Sequence, residues 1–255
     1  MQKEEQLLRK RFLELSRLAH HREIAVFTDF LSLHELNLLH TTPHAQMHSK
    51  YITYGGYAQS ERQMAAFVSD ALFLCKEPLC WPFTTLQVQP LHEKYGQELS
   101  HRDYLGAILN LGIERSKIGD ILVVEKTAYF FAHTSLTSFL MDELTRISHT
   151  TVAVTRLKED TNFSFENKYR EIKGTVASIR LDNLLSLAFS ASRTSFSDVI
   201  QAGRVFINGR MITTNAYKLK DEDIISVRGM GKFQYMGVQS TTRKNRLTVL
   251  IRRYT

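Results

Sequence analysis

Cysteine is scarce in this sequence, with only Cys75 and Cys80 in 255 residues. Four residues separate them, Pro78 among these, and no second Cys or His pair stands nearby at zinc-ligand spacing. That excludes a disulfide framework and a zinc finger, and both thiols are expected to be buried. Long apolar runs are also missing, so no transmembrane helix is expected. The first residues, MQKEEQLLRKRF, lack the apolar core and cleavage site of a signal peptide, and the protein is expected to stay in the cytosol, without a membrane partner. Glycine-rich phosphate loops are absent too. Gly55-Gly56 precedes no phosphate-binding pattern, and Gly229-x-Gly231 joins one strand to the next, so both are read as turns. No cofactor and no small-molecule substrate are expected.

Ordinary globular composition is present, with 43% apolar and 23% charged residues. The net charge of +7 is unevenly placed. Residues 170–255 hold 15 Lys/Arg against 6 Asp/Glu, whereas residues 1–169 hold 18 against 20. All of the positive excess therefore lies in the last third. A basic module on a near-neutral body points to nucleic acid or an anionic membrane as the partner.

The fold expected is α+β in three parts. Residues 1–75 form a mainly helical N-terminal region: Leu8, Phe12, Leu15 and Ala19 recur at helical spacing, and a second helix covers about Leu31 to Leu39. His40, His44 and His48 share a four-residue spacing, but Pro43 interrupts the helix, so they are expected on a loop and not around a metal. TYGGYAQSERQMAAFV reads as a turn followed by a helix from about Gln59. Residues 76–160 form a ferredoxin-like or RNA-recognition-motif domain. Its βαββαβ order comes from strands at Thr84–Val88, Asp120–Val124, Ala128–Ala132 and Thr151–Thr155, with helices at Ser100–Leu111 and Leu136–Ile147. Tyr129 and Phe131 alternate onto the face that often stacks RNA bases in that fold. AYFFAH lacks the Lys/Arg-Gly-Phe-Gly-Phe pattern, and residues 76–160 carry 9 basic against 11 acidic side chains, so this face is expected to serve packing or a protein contact. Residues 161–177 read as a linker and 178–255 as the basic domain.

One short stretch, SHRDYLGAILNLG, contains the His-Arg-Asp of a protein-kinase catalytic loop. A kinase needs Asn five residues after the Asp to hold a metal, and Ile108 stands there; no Asp-Phe-Gly follows. Ser100 and Asp103 instead form a helix start, and Gly112 its left-handed end. With no nucleophile–base pair and no metal-spaced cluster, the chain is expected not to be an enzyme.

The segment SIRLDNLLSLAFSASRTSFSDVIQAGRVFINGRMI carries the strongest signal. Two short helices are followed by a hairpin turned at Asn208-Gly209, the preferred two-residue turn. Arg180-Leu181-Asp182, Leu185, Ser192-Arg193, Ile200, Gly203-Arg204-Val205 and Asn208-Gly209 together resemble the S4-type, or alpha-L, RNA-binding domain. Phe196 departs from it, standing where the family more often has a small residue. Arg-Leu-Asp also occurs in pseudouridine synthases, but they continue into Thr-Ser-Gly and this chain does not. The resemblance implies RNA contacts at Arg180, Ser192, Arg193, Arg204, Asn208 and Arg210, with Lys218 added. Asp182 is expected to cap its helix or to orient Arg180 by a salt bridge. Arg228, at the end of the following strand, extends the positive surface with Lys232, Arg243, Lys244, Arg246 and Arg252.

Over nearly the whole chain the sequence resembles the bacterial YlmH family. The landmarks are Phe30-Leu31, Gly55-Gly56-Tyr57 with Glu61-Arg62, His101-Arg102-Asp103 with Leu105-Gly106, and Ile118-Gly119-Asp120-Ile121, followed by the S4-type domain. The resemblance implies a ribosome-associated adaptor that binds structured RNA, both 23S-type ribosomal RNA and tRNA, on the large ribosomal subunit. It further implies a role in stabilising peptidyl-tRNA while stalled chains are tailed. The alternatives it leaves are a cell-division or septation factor, or an RNA-modification protein. If six to ten of the C-terminal cations meet phosphates, RNA affinity should fall by about three to five decades between roughly 50 and 200 mM salt. Filter binding over a salt series measures that slope.

Overall fold

The computed structural model describes residues 2–58, 60–75, 79–92, 98–157 and 169–254. They belong to two compact units, Met1–Ser164 and Phe165–Thr255. No helix among the described residues is long and apolar enough to cross a membrane.

The first unit opens with helix α1 (Gln2–Arg22), whose Phe12, Leu15 and Ala19 form the buried stripe read from the sequence. After the short strand β1 (Val26–Phe27) comes α2 (Leu33–His40). Its start is a reciprocal cap: Glu35 N donates to Ser32 Oγ at 3.4 Å and Ser32 N donates to Glu35 Oε2 at 2.7 Å. Arg9 on α1 closes the other end of α2 by donating to the Leu38 carbonyl at 3.0 Å. The region departs from the mainly helical expectation at the next two elements. Strands β2 (Lys50–Tyr54) and β3 (Met64–Val68) join β1 in a three-stranded antiparallel sheet, ordered β1-β3-β2. Gln59 lies outside the described residues, but the helix expected from it does not extend over Met64–Val68. All five residues of β3 are buried, because a central strand covered on both faces shows a continuous apolar run with no period to read. A short helix, α3 (Asp70–Cys75), follows.

The middle of the chain has the expected βαββαβ order: β4 (Phe83–Pro90), α4 (His101–Asn110), β5 (Ile118–Val124), β6 (Thr127–His133), α5 (Thr137–Glu143) and β8 (Thr150–Arg156). A two-residue strand, β7 (Arg146–Ile147), pairs back onto β8, and the sheet runs β5-β6-β4-β8-β7. The second helix is thus shorter than predicted. Residues 146–147 are captured by a hairpin whose turn places Ser148 at φ 52°. Leu86, Val88, Tyr104, Ile108, Phe130 and Leu140 fill the core between the sheet and its two helices. At the start of α4, Asp103 accepts from both the amide and the hydroxyl of Ser100, each at 2.7 Å. Those bonds, the hydroxyl's first, hold the Asp103 carboxyl below its ordinary pKa and tie it to a helix end. Cys80 departs from expectation, since it is exposed: it precedes β4, where Trp81 takes the packed position against Phe27 and Tyr54. The side chain of Cys75 lies outside the described residues.

The sheet face opposite α4 and α5 is covered by the N-terminal segment. Phe131 is 1% exposed and packs with Phe30, Tyr57 and Met64, its ring lying 5.8 Å from that of Tyr57 and 6.0 Å from that of Phe83. The face that displays bases in RNA-recognition motifs is therefore an internal seam at Phe131, as the sequence implied, while Tyr129 is half-buried. Asp120 closes the seam by accepting from Tyr57 Oη (2.7 Å), Glu61 N (2.7 Å) and Arg62 N (3.0 Å). Burial, then the Asp120 charge, pushes the Tyr57 hydroxyl far up, so it remains a donor. Arg62 continues the seam by donating to the carbonyls of Ile118 (3.0 Å), Phe30 (2.8 Å) and Arg115 (3.2 Å). Lys117 reaches Asp29 at 2.7 Å. Phe30, Gly55 to Tyr57, Glu61-Arg62 and Ile118 to Asp120 therefore meet at one joint.

The glycines at this joint are steric requirements. A Cβ on Gly56, at φ +99°, would stand 2.1 Å from the Phe131 ring, and one on Gly119 would stand 2.8 Å from Phe30. Gly56→Ala should therefore destabilise the first unit by about 2–4 kcal/mol, from left-handed strain plus overpacking. Urea unfolding followed through the single tryptophan, Trp81, measures the loss.

Candidate nucleic-acid interface

The second unit is a six-stranded antiparallel sheet carrying two helices. Its elements are β9 (Tyr169–Val176), α6 (Leu181–Phe189), α7 (Arg193–Gln201), β10 (Val205–Ile207), β11 (Arg210–Met211), β12 (Ile224–Val227), β13 (Gly231–Thr241) and β14 (Leu247–Tyr254). The strand order is β11-β10-β12-β13-β14-β9. Strand β9 revises the expected linker: residues 169–176 pair with β14 along their whole length, while 161–168 lie outside the described residues. Gly174 permits this pairing to sit under α6, because a Cβ there would meet Leu187 at 2.3 Å. Leu181, Leu184, Leu185 and Ala188 on α6, Phe196 and Ile200 on α7, and Phe233, Tyr235, Val249 and Ile251 on the sheet form one core. Phe196, the departure from the S4 pattern, is accommodated there at 1% exposure, with its ring 5.9 Å from that of Phe189.

Arg180, just before α6, is held by Asp182 through Nε at 3.1 Å and Nη2 at 3.0 Å. The same carboxylate accepts from Asn183 N at 3.0 Å within the first turn, so Asp182 orients the arginine; the N-cap position is Arg180 itself and carries no side-chain cap. Backbone pairing sets Lys218 beside Arg180: the two residues form an isolated antiparallel bridge, and Leu181 N donates to the Tyr217 carbonyl at 2.9 Å. On α7, Ser192 Oγ caps the helix by accepting from Ser195 N at 3.2 Å. Arg193 follows and donates to Asn183 Oδ1 at 2.8 Å. Arg180, Arg193 and Lys218 thus gather around the start of α6. The amide nitrogens at the start of α7, with its helix dipole, add to the attraction for phosphate there.

A second group lies at the sheet. Arg204 Nη2 donates to the Arg228 carbonyl at 2.9 Å, and Arg228 N donates to the Arg204 carbonyl at 2.9 Å. Arg228 also lies over the Phe206 ring, 5.9 Å from its centroid. Arg210 stands exposed beyond the hairpin turn. Asn208, expected at the RNA, has both ends of its amide committed inside the unit. It donates to Asp223 Oδ1 at 2.8 Å and accepts from Ile224 N at 3.0 Å, at φ 49°. Sequence reasoning missed Asn183. It is 8% exposed and donates to the Ser178 carbonyl at 2.9 Å while receiving Arg193. Its signal was an amide set inside the apolar run Leu181-Asp182-Asn183-Leu184-Leu185.

Among the described residues no group of three or more His, Cys, Asp or Glu is placed to hold a metal. His40 and His44 instead lean on Tyr51, with Tyr51 Oη 3.1 Å from His40 Nδ1 and the His44 ring stacked at 6.0 Å.

An arginine-bearing helix pair on this sheet defines an S4-domain RNA-binding protein, and comparison with known proteins agrees. Residues 179–225 match the S4 domain model, and residues 86–161 match the model described as "Putative RNA-binding domain in YlmH". These two matches, in this order along the chain, support a YlmH-family protein with its S4 domain in the C-terminal unit. It is similar to the Bacillus subtilis (strain 168) "Ribosome-associated protein quality control protein P2", with 24% identity over 98% of this chain and 96% of that protein. Among solved structures it is similar in fold to "Cell division protein ylmH from Streptococcus pneumoniae", with TM-score 0.50 and 20% identity over 63% of this chain and 95% of that one.

The two kinds of predicted contact separate experimentally. Asn208→Ala should cost about 2 kcal/mol of stability, through lost hydrogen bonds and the left-handed backbone. Arg204→Ala should leave stability within about 0.5 kcal/mol, as for an exposed side chain, while weakening RNA binding. Thermal unfolding and filter binding on both variants check this.

Proposed function

We propose that this protein is a ribosome-associated RNA-binding adaptor that steadies peptidyl-tRNA on the large ribosomal subunit during C-terminal tailing of stalled chains. The observation that carries the reading is the similarity to the B. subtilis quality-control protein over 98% of the chain. The arrangement of the C-terminal unit supports it. Arg193, Arg204 and Arg210 are exposed, and Arg180 is 43% exposed beside Asp182, so phosphates can be met without unfolding anything. Phosphate contacts of this kind fix register and orientation, which is what an adaptor between ribosomal RNA and tRNA requires. The role is non-enzymatic in this reading, and the RNA supplies the shape that the arginines recognise.

The name of the pneumococcal structure favours a second reading, a factor for division or septation with RNA binding as an accessory property. Charge reversal separates the two. Arg193→Glu with Arg204→Glu should abolish co-sedimentation with large subunits while the circular dichroism spectrum stays unchanged. Unchanged sedimentation would sink the ribosomal reading. Septal localisation that survives the same double change would favour the division reading.

A further inference from the structure

The helix-free face of the C-terminal sheet is the feature that the S4 reading leaves unused. Alternation along the strands sends Phe233, Tyr235, Val249 and Ile251 into the helix-covered core. It sends Lys232, Gln234, Arg252 and Tyr254 to the opposite side. The register then builds rows across that face. Phe206 and Ser226, both buried, stand opposite each other at one end, Ser226 stands opposite Lys232, and Tyr254 opposite the exposed Tyr169. Beside this row, Ile224 faces Gln234, Gln234 faces Arg252, and Arg252 faces Glu171. Cations lie over the rings: Arg252 is 4.7 Å from the Tyr169 centroid and Lys232 is 5.6 Å from that of Tyr254. At the border, Arg228 covers Phe206.

We infer that this face is a second RNA-binding surface whose ligand is single-stranded RNA. The inference rests on the RNA-binding reading of the unit and adds a ligand that the helix pair does not select. A solvated antiparallel face ordinarily carries polar and β-branched side chains. Here tyrosines and guanidinium groups run side by side, the combination that stacks unpaired bases and holds the backbone between them. Charge complementarity points the same way: Arg252 is paired with Glu171 at 3.2 Å, and Lys173 and Lys232 leave the face with a positive excess. Tyr169, at 46% exposure, lies on the edge strand and is the most open ring of the row. Paired RNA keeps its bases inside the duplex, so the rings favour an unpaired segment over the structured RNA met by Arg180 and Arg193.

The test uses the full-length protein with two probes, a short fluorescent oligouridine and an RNA hairpin. Tyr169→Ala should weaken oligouridine binding by about 5-fold or more, the lower end of one base-stacking contribution. Tyr169→Phe should keep it, and hairpin affinity should stay within about two-fold for both variants. Tyr169 lies on the edge strand at 46% exposure, so its substitution leaves the core intact, and an unchanged circular dichroism spectrum checks this. Failure of the wild type to bind oligouridine, or equal affinity of the Tyr169→Ala variant, would overturn the inference. So would displacement of oligouridine by polyglutamate as effective as by unlabelled RNA, which would mark a general acidic-ligand surface. None of these outcomes bears on large-subunit binding, which the Arg193 and Arg204 variants test by themselves.

Discussion

The first unit depends on what Asp120 does at the seam. One carboxylate receives the Tyr57 hydroxyl and two successive backbone amides, of Glu61 and Arg62. Charged acceptors make the stronger hydrogen bonds, and three of them converging on one group leave little freedom to the loop that supplies them. With the loop fixed, Arg62 reaches the carbonyls of Ile118, Phe30 and Arg115, sharing the first with the Arg115 guanidinium, and Phe131 is closed over by Phe30 and Tyr57. The glycines follow from the same closeness, since no Cβ fits between this loop and the sheet.

That seam takes up a sheet face that the same architecture can leave open. A βαββαβ sheet can offer its open face to bases, but here Phe131 spends that face on packing. Residues 76–160 also carry a slight acidic excess. The C-terminal unit has the opposite balance, and its helix pair is organised around two polar residues in an apolar run. Asp182 fixes Arg180, Asn183 fixes Arg193, and the segment bearing Lys218 is bridged alongside. Pre-orientation matters because each arginine held before binding has less rotational freedom to lose when it meets a phosphate.

Much of this was legible in the residues. The amphipathic stripe of α1, the Ser100–Asp103 helix start, the βαββαβ order and the Asn208-Gly209 hairpin are local patterns, and local patterns survive without tertiary context. The S4 assignment rested on spaced residues within one supersecondary unit, and the family model matches that same stretch. Less legible were β3 and β9. Met64–Val68 is buried on both faces and so has no alternation to read. Tyr169–Val176 mixes Arg, Glu, Lys and Gly and resembles a linker until β14 pairs with it.

Among the candidate RNA contacts, residue type and spacing found the cations but not their states. That Arg180, Arg193, Arg204 and Arg210 belong to one basic module follows from charge partition and motif alone, because charge is carried by the chain wherever it folds. Whether a side chain is offered outward or consumed inward is decided only by what packs against it. Asn208 is consumed because the hairpin brings Asp223 and Ile224 to its amide, and Asn183 matters because α7 brings Arg193 to it. His-Arg-Asp shows the same division: its chemistry looked catalytic in isolation, and the neighbouring Ser100 made it a helix cap. Sequence determines which groups a chain possesses. Long-range pairing, which joins residues 57 to 120 and 183 to 193, decides which of them remain available to a partner.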